Sequence, residues 1–149
     1  MAWPAGTGIL ADGDFSKAPN PTGGREFDLG QSFAPAWEVI KGNVDFQGTG
    51  DVWSMGPDGA CSVDLDGDMA GGIAHREFPT TANVTYAVTF EFSGNGGCGQ
   101  IIKKLLVRAA GRSDRLRWSI SGGNDAENGV WQAETWTFTG TGSPARQNS

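Results

Sequence analysis

The chain has 149 residues, a net charge of −6, 24 glycines and six tryptophans. The negative charge argues against nucleic acid as the main partner, since phosphate binding needs a basic surface. No apolar run approaches the ~20 residues of a membrane helix, so we expect no membrane span. The length fits one domain, which we place at residues 1–142, followed by a disordered tail over residues 143–149.

The N-terminus and the cysteines each leave two interpretations open. The first residues have no basic start and no apolar core, so they do not form a signal peptide. The chain is then either a cytoplasmic protein or a secreted domain whose signal peptide has been removed. Cys61 and Cys98 are able to form one disulfide, and they are equally able to remain two thiols.

The first half of the chain reads as short strands between glycine-rich turns. A strand near residues 8–10 precedes a long loop through residues 19–24. Three further short strands have apolar residues in alternation with acidic or polar ones, at residues 37–39, 44–46 and 63–65. Because successive strand residues point to opposite faces, Asp45, Asp64 and Asp66 belong to a solvated face.

The second half has the clearest strand signals. Residues 86–92 alternate strictly and predict a half-buried strand. Residues 101–110 fit either a helical face or a strand, and their neighbours favour a strand. Two more alternating segments cover residues 116–120 and 136–138. Several short strands with turns between them predict an all-β fold, an antiparallel β-sandwich or jelly roll.

Two local motifs and one charge cluster have simple structural interpretations. Residues 94–99 match the G-x-G-x-x-G pattern of dinucleotide sites, but such a site needs a parallel βαβ unit, so we interpret them as a hairpin loop. His75 is the only histidine, and we interpret it as a surface or packing residue. Basic residues between Lys103 and Arg117 are interpreted as the solvated face of two strands.

The carboxylates suggest either a cation site or an acid pair. Residues 64–68 resemble the start of an EF-hand loop, but the closing glutamate and the flanking helices are missing. A glycosidase needs two carboxylates across a cleft, and Asp64 and Asp66, about 6–7 Å apart on one strand face, are the candidate pair. Solvated acids on an outer face are the alternative interpretation.

The tryptophans divide by strand phase. Trp37, Trp118 and Trp136 are in phase with apolar neighbours, which places them in the core. Trp53 and Trp131 follow glycine-containing turns at junctions between loop and strand. A flat indole at such a place either stacks on the apolar face of a sugar ring or caps the end of the sandwich.

A series of segments in order along the chain is similar to a known family. These segments are residues 9–15, Trp37 with residues 42–45, Trp53, residues 62–67, Phe78 with residues 80–81, residues 86–95 and residues 129–138. Together, over about residues 8–142, they resemble the choice-of-anchor C family, bacterial extracytoplasmic domains akin to a plant cell-wall β-sandwich family.

The resemblance implies a galactose-binding-like jelly roll that is secreted or attached to the cell surface, with a carbohydrate or cell-wall polymer as its ligand. It also implies a structural calcium near the opening motif, at Asp12 and Asp14, although Ser16 stands where the family usually has an acidic residue. Family members continue with further strands after the strand at Phe138. Without them, an open sheet edge would favour a homodimer.

The leading hypothesis is therefore a non-catalytic, extracellular module that binds a cell-wall or matrix polysaccharide. Trp53 and Trp131 would stack on the sugar, and polar loop residues would bind its hydroxyls: Asp51, Asn95, Asn124 and Asp125. One alternative is a small hydrolase of polysaccharides or esters that uses the Asp64 and Asp66 pair or His75. Another is a structural or adhesive module that assembles through the open sheet edge.

Overall fold

The computed structural model describes residues 9–50, 56–94, 102–120 and 130–145. These residues form nine strands and one 3-10 turn, and every strand pair is antiparallel. The strands are β1 (Gly24–Asp28), β2 (Trp37–Lys41), β3 (Asn43–Gln47), β4 (Ser62–Asp64), β5 (Gly72–His75), β6 (Thr85–Phe92), β7 (Ile102–Ala109), β8 (Arg112–Ser119) and β9 (Gln132–Thr139). The all-β antiparallel sandwich that the sequence predicted is confirmed. In these segments no helix is long and apolar enough to cross a membrane.

The first half of the molecule packs a three-stranded sheet, in the order β1-β3-β4, against the pair β2-β5. Val44 and Phe46 of β3 point inward, as their alternation with Asp45 predicted. The buried side chains form what we call the first core; its larger members are Phe15, Phe27, Phe33, Trp37, Val39, Val44, Phe46, Val63 and Ile73.

The second half packs the pair β6-β9 against the hairpin β7-β8. The segment that fitted either a helix or a strand is the strand β7. The second core contains the apolar face of each strand; its larger members are Phe78, Val88, Phe90, Phe92, Val107, Trp118, Trp136 and Phe138. Trp37, Trp118 and Trp136 are all buried, which confirms their assignment to the core.

A chain of aromatic rings joins the two cores. The His75 ring centroid lies 4.9 Å from that of Trp37 and 5.8 Å from that of Phe78. Phe78 in turn contacts Phe138, with 6.3 Å between the ring centroids. His75 is 3% exposed, so of the two interpretations offered by the sequence it is a packing residue.

Two expectations for the N-terminal region were wrong. Ile9 and Leu10 lie in a bend rather than a strand, because the chain turns sharply through Asp12 (φ +55°) and Phe15 (φ +59°). The expected long loop contains the start of β1, which ends at Asp28 and pairs along its length with β3. Phe27 is the only apolar residue of β1, so the local sequence gave too weak an alternation to reveal this strand.

Two later expectations concern a loop and the tail. Residues 95–99, interpreted as part of a hairpin loop, lie outside the described residues. The strands on either side, β6 and β7, pair with β9 and β8. The segment expected to be a loose tail is attached as far as Ala145, which is 3% exposed and exchanges two backbone hydrogen bonds with Phe78. These bonds also extend the second core by one small side chain.

Candidate functional site

The opening loop, residues 9–18, is held by two buried rings. The Trp37 Nε1–H donates to the Asp12 carbonyl oxygen at 2.9 Å. The His75 Nε2 lies 3.0 Å from the Ala11 carbonyl oxygen, and its Nδ1 lies 2.6 Å from the Arg76 carbonyl oxygen. Both ring nitrogens of His75 are thus engaged with the backbone in a buried position, which does not suit a general base for a hydrolase.

Asp12 is the most unusual acidic residue of this loop. It is 9% exposed, and its Oδ1 accepts the Lys17 backbone N–H at 2.9 Å. Its Oδ2 is buried and has no hydrogen-bond partner. Burial raises the pKa of Asp12, and the neighbouring Asp14 carboxylate raises it further. A buried carboxylate oxygen without a partner is costly unless a cation or a proton neutralises it.

Asp12 and Asp14 fit the beginning of a calcium site. Asp14 Oδ1 accepts the Ser16 backbone N–H at 3.2 Å, which keeps the second carboxylate in the same turn. Calcium takes six to eight oxygens. Over the described ranges, no group of three His, Cys, Asp or Glu side chains is arranged to hold a metal ion. Carbonyl oxygens or waters would therefore have to complete the coordination.

A second set of acids lies in one row across the first sheet. Glu26 of β1 pairs with Asp45 of β3, which pairs with Asp64 of β4. Burial raises the pKa of Asp45, and the charges of Asp64 and Asp68 add to the effect. The pKa of Glu26 is also raised. Asp45 and Asp64 do lie on the outer face, as the alternation predicted, and the strand register places Glu26 beside Asp45 in the same row.

The two acids of the candidate pair are held by contacts of their own rather than placed on opposite sides of a ligand. Strand β4 ends at Asp64, so Asp66 lies beyond it, in an isolated β-bridge with Ala70. The Asp66 backbone N–H donates to Asp64 Oδ1 at 2.8 Å. The Asp66 carboxylate accepts a charge-assisted hydrogen bond from Lys103 Nζ at 2.5 Å. Asp66 therefore links the first half of the molecule to β7.

Cys61 is a free thiol buried against the first core. Its Sγ lies 3.5 Å from the Pro21 carbonyl oxygen, and burial raises the pKa of the thiol. A raised pKa reduces the thiolate fraction, so Cys61 is a poor nucleophile. Cys98, the other cysteine, lies outside the described residues.

Trp131, which the sequence predicted as a sugar platform, lies just before β9 and is half-buried. Its indole Nε1 is buried and has no hydrogen-bond partner. The adjacent Val130 is 41% exposed, and its carbonyl oxygen accepts the Ser93 Oγ–H at 2.5 Å. Trp131 thus combines a partly exposed ring with an unsatisfied donor at one end of the β6-β9 pair.

The other predicted ligand residues lie outside the described part of the chain: Asp51, Trp53, Asn95, Asn124 and Asp125. The residues that flank three of them meet near Trp131. Gly94 precedes Asn95 in the chain, and a Cβ at Gly94 would lie 2.7 Å from Ile120 Cγ1. Asn124 and Asp125 belong to the segment between Ile120 and Val130. The flank of Trp53 is elsewhere, since Gly50 bonds to Thr22 in the first half.

Comparison with known proteins gives one match. Residues 8–146 match the model of DUF642, a family described as of unknown function. Neither the curated proteins nor the solved structures include a match to this chain. Because the family model covers nearly all of the chain, the chain belongs to the DUF642 family. The resemblance to a plant cell-wall β-sandwich family is thereby confirmed.

Proposed function

We propose that this DUF642 domain is a non-catalytic, extracellular module that binds a cell-wall or matrix polysaccharide. The narrower assignment to the choice-of-anchor C domains, and a secreted or cell-surface location, are parts of the same proposal. The observation that supports it best is Trp131, with its half-buried side chain and unpartnered indole N–H.

The chemistry of Trp131 suits a sugar. The ring offers a flat apolar surface, and the ring C–H groups of a pyranose are apolar on one side. A buried donor without a partner costs roughly 1–3 kcal/mol, and such groups are rare in native proteins. A hydroxyl that accepted the Trp131 N–H would remove this penalty, so the ligand would contribute both stacking and a hydrogen bond.

The contacts of the acids and of His75 favour binding over hydrolysis. Asp66 is paired with Lys103, and both ring nitrogens of His75 are engaged with carbonyl oxygens. Neither arrangement leaves a general acid and a second carboxylate on opposite sides of a ligand, as glycoside hydrolysis requires.

Calcium is proposed as a structural ion at Asp12 and Asp14. The unsatisfied Asp12 Oδ2 supports this assignment, because a bound cation would neutralise the buried charge. A homodimer through an open sheet edge stays a prediction. Light scattering at high protein concentration tests it, and a strictly monomeric species would count against it.

The experiment for the main proposal is a titration with soluble glucans, xylans, pectins and galactans, followed by tryptophan fluorescence with and without calcium. We expect a saturable change with one polymer and no release of reducing sugar. Trp131→Ala should weaken binding at least about tenfold, equivalent to about 1.4 kcal/mol. Its circular dichroism spectrum should match that of the wild type.

Trp53→Ala is the matched variant, because it removes the other predicted platform. Loss of binding in this variant alone would move the site to the first half of the molecule. Unchanged binding in both variants, or the appearance of new reducing ends, would contradict the proposal.

A further inference from the structure

The outward face of the β7-β8 hairpin is strongly basic. On both strands alternate residues point outward, and the four long cations on that side are all exposed. We call this surface the basic face; it consists of Lys104, Arg108, Arg115 and Arg117, with the apolar Ile102 and Leu106 between them. The inward side carries the residues that join the second core, such as Val107 and Trp118.

The register of the hairpin places like charges next to one another. Lys104 pairs directly with Arg117, and Arg115 pairs with Leu106. Arg115 is therefore diagonal to both Lys104 and Arg108. Directly opposed residues have Cβ atoms about 5 Å apart and diagonal ones about 7–8 Å, which is within the screening length of physiological salt. Like charges at these spacings destabilise the hairpin.

No acid offsets this repulsion within the described part of the chain, where the two ion pairs involve Lys103 and Arg112. The segment from Ile102 to Ser119 has six basic residues and one acidic residue, a charge of +5 in a chain of net charge −6. The rest of the chain then carries −11. The repulsion between these cations therefore destabilises the hairpin, and no described contact of the cations compensates for it.

The backbone beneath the basic face is held by a tight turn. Two residues, Ala110 and Gly111, connect the strands, and both have positive φ, +48° and +81°. This is the pattern of a two-residue type I′ turn, which matches the twist of a hairpin. The cations therefore project from a backbone of defined register, so that the backbone need not be ordered when a ligand binds.

We infer that the basic face binds an acidic polysaccharide, a polymer of uronic acid residues. The inference rests on the proposed function and names its ligand class. An arginine guanidinium forms a two-pronged hydrogen bond with a carboxylate, and three of the four cations are arginines. Ile102, which is 43% exposed, and the half-exposed Leu106 supply apolar contact for sugar rings between those charges.

Other polyanions fit the molecule less well. A nucleic acid has a much higher charge density, and the −11 carried by the rest of the chain would repel it away from the hairpin. The acidic row of a second copy is complementary in sign, but each copy would bring a net charge of −6 to the complex. A polymer with one carboxylate per sugar has a lower charge density than a nucleic acid, and several of its carboxylates could pair with the four cations of the basic face.

The experiment compares polygalacturonate with the same polymer methyl-esterified, so that only the carboxylate charge differs. Affinity is measured at about 50 mM and about 200 mM salt. The variant is Arg115→Gln with Arg117→Gln, and the control is Lys41→Gln with Arg76→Gln, which removes the same charge from exposed sites elsewhere. Single-stranded DNA serves as a polyanion without uronic acid.

We expect the wild type to prefer polygalacturonate to its ester, with an affinity that falls as salt rises. The face variant should bind at least about tenfold more weakly, while the control variant stays within about twofold of the wild type. Trp131→Ala should weaken binding to both polymers.

Three results would overturn the inference. Equal affinity for the acid and its ester, with wild-type affinity in the face variant, would reject it while leaving the proposed function intact. DNA binding as tight as polygalacturonate binding would make the face a general anion surface. Salt-sensitive self-association that the face variant abolishes would assign the face to a second copy. Failure of every polymer would reject the proposed function itself.

Discussion

The two halves of the molecule bury similar aromatic cores and differ in where they keep their polar groups. Among described residues, the first half buries Asp12, Asn43, Ser62 and His75, whereas the second half buries only Thr80 as a polar side chain. The second half instead exposes four cations on the outward side of β7 and β8.

We infer from this difference that the first half of the molecule mainly determines stability and that the basic face of the second half mainly determines ligand binding. Buried polar groups are satisfied only in one geometry, so the stability of the first half depends on protonation and on the cation proposed at Asp12. In the second half apolar packing holds the strands, and the outward face is free to carry charges that do not stabilise it. Changes in the first half should therefore alter unfolding, and changes on the basic face should alter binding.

The largest effect is expected at His75, where the two halves meet. His75→Ala removes the ring that contacts both Trp37 and Phe78 and leaves the Ala11 and Arg76 carbonyl oxygens without their contacts. We expect a loss of about 3 kcal/mol in the free energy of unfolding, from the cavity and the unpaired polar groups together. Urea denaturation measures it.

His75→Phe is the companion variant, because it keeps a ring between the cores and removes only the polar contacts. It should lie between the wild type and His75→Ala. If His75→Ala lost less than about 1 kcal/mol, the link between the halves would be unimportant.

The next effect concerns Asp12 and depends on pH. The folded state raises the pKa of Asp12 through burial, so ionisation destabilises the fold, and the penalty appears as the pH rises through that pKa. In the presence of a chelator, Asp12→Asn should therefore be slightly more stable than the wild type near neutral pH. The difference should shrink in acid.

Thermal melting at several pH values tests this, with calcium added in a second series. Calcium should raise the melting temperature of the wild type and not that of Asp12→Asn. The exposed Asp28, changed to Asn, is the control. If calcium raised the melting temperatures of Asp12→Asn and Asp28→Asn equally, the ion would bind elsewhere.

A smaller effect, again an increase in stability, is expected on the basic face. Arg117→Glu places an acid directly opposite Lys104 and should stabilise the hairpin by about 0.2–1 kcal/mol. The same change should weaken binding to polygalacturonate. Arg108→Glu, opposite Ser113, should gain less stability. If the variant gained or lost both stability and affinity, the charges of the basic face would not serve binding at the expense of stability.

The smallest effect is expected at the turn of the same hairpin. Ala110 has φ +48°, a left-handed conformation that most residues with a β-carbon disfavour. Asparagine tolerates this conformation better than alanine. Ala110→Asn should raise the free energy of unfolding by about 0.5 kcal/mol, since Asn-Gly is the preferred pair for this turn. Polymer binding should stay unchanged. A loss of stability would show that the turn geometry is not type I′.

Much of the fold could be predicted because strand alternation is a local signal. The strands β6, β8 and β9 and the burial of Trp118 and Trp136 follow from which residues are apolar and at what spacing. The spacing in β7 also fitted a helix, and its neighbours favoured the strand. Strand β1 could not, because Phe27 is its only apolar residue and its partner β3 is distant in the chain. The same limit hid the attachment of Ala145 to Phe78.

The candidate site divides in the same way. Sequence identified Trp131 from its turn and Asp12 and Asp14 from a family resemblance, but an unpartnered Trp131 Nε1 or a buried Asp12 Oδ2 is a property of the packed molecule. The basic residues of β7 and β8 were visible as a cluster. Their direct opposition depends on the hairpin register, which a one-residue shift would have reversed.

The sequence by itself determined that this is a glycine-rich, acidic, all-β domain, because composition and period-two alternation act residue by residue. Only the tertiary structure decided that His75 joins the two cores, that Asp66 pairs with Lys103, and that Lys104 faces Arg117. Those contacts bring together residues from different strands, and register and packing between distant segments cannot be read from local spacing.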